Sequence, residues 1–132
     1  MPTQTKAMTY QIVPGRKIIL ANGTGQSNAA EIHAFTDSIL EDVKDWKESG
    51  WAYVADCSDV TPVSMAESEA LIELTRRIVT AGCKVLAFAE GKSFMIKIQA
   101  KNHTKLSHTH VAEGHFKTVE QALDWVEKEF HY

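Results

Sequence analysis

Trp51-Ala52-Tyr53-Val54-Ala55, running straight into Asp56-Cys57-Ser58-Asp59, is the stretch on which the fold turns. A strand with one wet face alternates apolar and polar residues, and 51–55 does not. Apolar or aromatic at both parities and rich in β formers, it predicts a central strand covered on both sides. The abrupt change to acidic and hydroxyl residues predicts a polar bend over 56–60, where the chain leaves the core.

Immediately upstream, Ile32, Phe35, Ile39, Val43 and Trp46 recur at intervals of three or four and share one helical face. They predict a helix over 28–49, capped by Ser27 or Asn28 with Glu31 following, and closed by Gly50. Further out, 10–13 and 16–21 read as two strands around Pro14-Gly15, a pair suited to a type II turn. Residues 1–9 read as a flexible segment ahead of a single domain over 10–132. Asn22-Gly23-Thr24-Gly25 reads as a loop; its two glycines lack the spacing of a phosphate-binding fingerprint.

Downstream, Pro62 breaks the chain, and Ser64-Met65-Ala66-Glu67 has the form of a capping box. The helix behind it carries Leu71, Leu74 and Ile78 on one face and stops at Gly82. Cys83-Lys84-Val85-Leu86-Ala87-Phe88-Ala89 is a second buried strand, closed by Glu90-Gly91. Residues 93–106 fit a strand through Phe94, Ile96, Ile98 and Ala100, and a helix through Phe94, Met95 and Ile98, so periodicity leaves both open. A short strand falls within 109–116. Thr118-Val119-Glu120-Gln121 opens a last helix with Val119, Ala122, Leu123, Val126 and Phe130 inward. Trp46, Trp51 and Trp125 lie on or beside inward faces. The order β-β-α-β-α-β-(α)-β-α predicts one α/β domain, a mixed sheet of four to five strands covered by about four helices.

At 132 residues, 44% hydrophobic and 23% charged, the chain suits one packed core. A net charge of −3 gives no global pull toward nucleic acid or an anionic membrane. No apolar run approaches the ~20 residues that span a bilayer, so integral membrane association is not expected. Two cysteines are too few for a disulfide scaffold, which points to the cytoplasm, and nothing in the sequence calls for a cofactor.

Three groups of residues invite chemistry. Four of six histidines fall between 103 and 115, and His108, His110 and His115 would suit a three-histidine metal site, although their spacing matches no zinc motif. Lys97, Lys101 and Lys105 stand at i, i+4 and i+8, one basic face if the segment is helical, with no acidic residue between Gly91 and Ala112. Such a face suits an anionic or amphipathic ligand; its plainer reading is a solvated stripe. Cys57 closes the central strand, where ligands gather in open α/β sheets, and would need a base such as His33 to act as a nucleophile.

The element order, with Gly50-Trp51-Ala52-Tyr53-Val54-Ala55-Asp56, the strand over 84–89 and the tail Phe116-Lys117-Thr118-Val119-Glu120-Gln121-Ala122-Leu123-Asp124-Trp125-Val126, resembles the STAS domains. The nearer likeness is to their stand-alone SpoIIAA-like relatives. The resemblance implies a non-enzymatic regulatory or binding module that acts through a protein partner or a small anionic or amphipathic ligand. It implies a contact site at the N-terminus of the second helix, from Asp56, Ser58, Ser64 and Met65, beside the Lys97, Lys101 and Lys105 face. Bacterial antagonists of this kind carry a phosphoacceptor serine where this chain has Met65, with Glu67 in place of a glycine. Ser64, one residue away, is the remaining candidate for phosphorylation, and its simpler role is the helix cap. The alternative function is a small metal-dependent or cysteine hydrolase using His108, His110 and His115, or Cys57. A lipid-handling role would make 94–100 a lid. A homodimer through the edge near 10–13 would pair exposed strands.

Overall fold

The computed structural model describes residues 8–25, 28–60, 65–91, 94–107 and 111–129. Its strands are β1 (Met8–Ile12), β2 (Ile18–Gly25), β3 (Trp51–Val60), β4 (Cys83–Ala89) and β5 (Ala112–Phe116). Its helices are α1 (Ala29–Val43), α2 (Met65–Thr80), α3 (Phe94–Leu106) and α4 (Val119–Glu129). They form one five-stranded sheet in the order β1-β2-β3-β4-β5, antiparallel between β1 and β2 and parallel thereafter.

The first hairpin turns as its residues require. The Arg16 amide donates to the Val13 carbonyl at 3.1 Å, with Gly15 at φ +72, the positive dihedral of a type II turn. Helix α1 starts where Asn28 Oδ1 accepts from the Glu31 amide at 2.8 Å. It ends earlier than the predicted 49, passing into a 3-10 turn over Lys44–Trp46 before the Gly50 amide donates to Trp46 O at 2.8 Å.

Strand β3 sits at the centre, as its composition demanded. Trp51, Tyr53 and Ala55 join Ile32, Phe35, Ile39 and Val43 of α1 and Ala70, Leu74 and Ile78 of α2 in one apolar layer. Ala52 and Val54 join Val85, Ala87, Ala122 and Val126 in a second layer, beneath α4. Trp51 is fully buried, and its Nε1–H donates to Ala81 O at 3.1 Å, pinning the end of α2 to the start of β3. Trp46 and Trp125 are partly buried against the two layers.

Further expectations change. Met8 and Thr9, read as part of the flexible segment, open β1 opposite Gly23 and Asn22. Residues 22–25 and 56–60 form neither loop nor bend: they extend β2 and β3, pairing Thr24 with Asp59 and Gly25 with Val60. The extension runs past Asp56, the last β3 residue that β4 reaches. Ladder pairing there overrides the poor β propensity of Gly, Asn and Asp, and the register slips between Asn22 and Thr24. The ambiguous segment is helix α3. Strand β5 lies parallel to β4, and a parallel neighbour needs a crossover, which α3 supplies.

Candidate functional site

At the C-terminal edge of the sheet, Asp56 is tied to its own neighbourhood. Its Oδ1 accepts from the Ser58 amide at 3.2 Å and from Ser58 Oγ–H at 2.7 Å. Its Oδ2 accepts from Asn22 Nδ2 at 3.2 Å. Met65 opens α2 with 80% of its surface exposed. Ser64 lies outside the described residues. Asp56 and Ser58 are thus brought together, and among the described residues neither hydrogen-bonds Met65. Cys57, between them, is partly buried against the apolar layer. Burial, with the Glu90 and Asp56 carboxylates nearby, pushes its thiol up to about 12, the opposite of what a nucleophile needs.

A second polar group lies between β4 and β5. Register places Glu113 beside Leu86 and His115 beside Phe88, on the face that carries α1 and α2. His115 Nδ1 meets Glu90 Oε2 at 2.6 Å, and Nε2 meets Glu113 Oε2 at 2.8 Å. The ring stacks on Phe88, centroids 5.3 Å apart and 18° from parallel. The Glu90 and His115 side chains are only 3% and 8% exposed, while Glu113 reaches solvent. Each ring nitrogen thus faces a carboxylate oxygen at hydrogen-bond distance, and the imidazole bridges the two carboxyl groups. Sequence reasoning missed Glu90 and Glu113. Glu113-x-His115 is legible only once 112–116 is a strand, and Glu90 is 25 residues away, met through the parallel register.

His115, one of the three candidate metal ligands, has both ring nitrogens engaged in this way; His108 and His110 lie outside the described residues. Among the described residues no group of three or more His, Cys, Asp or Glu could hold a metal ion. His33 is exposed on α1.

At the opposite end of β4 and β5 is an open groove of about 860 Å³, between the end of α2, the second half of α3 and the strand starts. Val79 and Val111 supply apolar lining, and Lys84, Lys101, Lys105 and Glu113 supply charge. The three lysines are exposed, and none is ion-paired among the described residues. Two of the three predicted lysines therefore converge on one groove. The backbone of Lys97 lies in α3, and its side chain falls outside the described part. Lys84 was the missed member. Its sequence signal is a lone charge in an otherwise apolar strand, and its stem runs so close to Gly50 that a Cβ there would sit 2.7 Å from Cδ and Cε. His103, on the same helix, bonds Ser68 Oγ of α2 at 3.1 Å, and burial holds its imidazole below the ordinary 6.5.

A parallel sheet with an antiparallel first strand, two helices on one face and a C-terminal helix on the other defines this chain as a single-domain α/β protein of SpoIIAA-like fold. Among solved structures it is similar to an uncharacterised protein of the DUF3478 family from Shewanella loihica PV-4, described as having a SpoIIAA-like fold. The TM-score is 0.72 at 13% identity, over 95% of this chain and 98% of that one. At that identity the likeness concerns the fold, and it agrees with the resemblance read from the sequence. No protein-family model matches the sequence, and no curated protein matches it. No helix among the described residues is long and apolar enough to cross a membrane.

Proposed function

We propose that this chain is a non-enzymatic binding module that takes a small anionic, amphipathic ligand in the groove between α2, α3 and the starts of β4 and β5. The observation that carries this reading is a recess lined by Val79 and Val111 together with Lys84, Lys101 and Lys105, none of them ion-paired among the described residues. Its volume is that of a small-molecule site, and its chemistry pairs an apolar lining with a cationic rim. The hydrolase alternative gains little: the Cys57 thiol is held protonated, and His115 is occupied by two carboxylates. Contact with a protein partner at the start of α2 is a second reading, favoured by Met65, a large apolar side chain that opens the helix with most of its surface exposed.

The test is titration of the ¹⁵N-labelled protein with octanoate below its micelle concentration. Amide shifts are expected at 101–105 and 111–113. Lys101→Gln with Lys105→Gln should weaken binding about tenfold, near 0.7 kcal/mol for each exposed ammonium. Shifts scattered over the surface, or an affinity indifferent to both substitutions, would remove the groove from consideration.

A further inference from the structure

We infer that the groove selects a small soluble zwitterion, an anion that carries its own ammonium group, with Glu113 as the second pole. This rests on the groove reading above and narrows its ligand class. A groove built for a bare anion has no use for a carboxylate in its wall, yet Glu113 lines it together with the three lysines.

The natural fate of such a carboxylate is to pair with a neighbouring lysine and cancel it. Lys84 is a near neighbour, since Val85 pairs with Ala112 and Leu86 with Glu113. That pairing is absent among the described residues: the Lys84 stem runs over Gly50, and Glu113 is held from its other side. His115 holds Glu113 Oε2 at 2.8 Å, and Glu90 holds His115 from behind at 2.6 Å. Glu90 and the ring are almost fully buried, so the arm that holds Glu113 does not swing. Oε1 of Glu113 has no protein partner among the described residues. Of the three side chains in this arm, Glu113 is the one presented to solvent, 23% exposed against 8% for His115 and 3% for Glu90. The groove thus keeps two poles of opposite sign apart and open. A simple anion meets attraction from the lysines and repulsion from Glu113. A zwitterion satisfies both.

The test compares O-phosphoethanolamine with propyl phosphate, which has a methyl group in place of the ammonium, by calorimetry on the wild-type chain. Phosphoethanolamine is expected to bind at least fivefold more tightly. Glu113→Gln, which keeps an acceptor for His115, should bring the ratio close to one, with propyl phosphate tightened by loss of the repelling charge. Equal or tighter binding of propyl phosphate to the wild type overturns the proposal and leaves the anion groove standing. A preference that survives Glu113→Gln overturns it too, because the ammonium is then read elsewhere. Binding of neither compound defeats the groove reading itself, and this one with it. Sedimentation with phosphatidylethanolamine vesicles, without binding of phosphoethanolamine in solution, would place the head group on a lipid and overturn the soluble class.

Discussion

His115→Phe is the most informative single change in this molecule. Phenylalanine keeps the flat ring that stacks on Phe88, so the packing survives while both contacts to carboxylates are lost. Glu90, 3% exposed, has no other side-chain partner among the described residues and is left as a stranded buried charge. Removing one member of a buried pair costs about 3–5 kcal/mol. Unfolding entropy of ~2.1 cal/mol/K per residue gives a chain of 132 residues about 0.28 kcal/mol/K, so Tm should fall by roughly 11–18 °C. The second half of the prediction is sharper. Adding Glu90→Met removes the stranded charge, and an apolar replacement for a buried pair is often neutral, so the double variant should return to within about 1–2 kcal/mol of wild type. Urea unfolding at pH 7, with midpoints and slopes for both single variants and the double, measures this directly. Glu113→Gln is the internal control and should cost under about 1 kcal/mol, since that carboxylate reaches solvent. A loss below about 1 kcal/mol for His115→Phe, or a double variant as unstable as the two singles summed, would refute the argument.

Two further outcomes follow from shifted groups. Burial holds His103 below its ordinary 6.5, so just under that pH the unfolded chain binds a proton that the folded chain refuses. Stability should fall as pH drops through 6.5, and His103→Gln should flatten that decline between pH 7.5 and 5.5; parallel curves for the two proteins would contradict the assignment. Burial also pushes Cys57 and Cys83 both up to about 12. At pH 8 their thiolate fractions are then about 10⁻⁴, so iodoacetamide should label the folded chain about a thousandfold more slowly than the urea-unfolded one. The stability these thiols contribute is present below their ordinary 9 and is lost as pH rises from 9 toward 12. Comparable labelling of folded and unfolded chains would show the thiols to be solvated.

What the sequence revealed and what it hid divide along physical lines. The central strand was legible because burial on both faces leaves its mark in one stretch, 51–55, without reference to the rest of the chain. The Pro14-Gly15 turn and the Asn28 cap were legible because their chemistry is local. The extension of β2 and β3 was hidden, since Asn22-Gly23-Thr24-Gly25 and Asp56 to Val60 are strands only by virtue of each other. Helix α3 was undecidable over its own length, where lysines and apolar residues alternate by twos and fours together. The same division runs through the groove and its buried triad. Lys101 and Lys105 share a helix face that spacing reveals, whereas Lys84, Glu113 and Glu90 meet only through the parallel register of β4 and β5.

The order β1-β2-β3-β4-β5 repeats the order of the chain. During synthesis every strand therefore finds its neighbour already made, and none has to be inserted between two strands that have paired. Hairpin and helix formation take microseconds, while translation proceeds at about 5–20 residues per second. The sheet can thus assemble strand by strand at the pace of the ribosome. The exception is the face beneath α4. Ala52, Val54, Val85 and Ala87 are in place once Ala89 has emerged, but their cover arrives with Val119–Glu129, about 40 residues and some 2–8 s later. For that interval the nascent chain carries a bare apolar sheet face, and a ribosome that stalls there presents it to chaperones or to other chains.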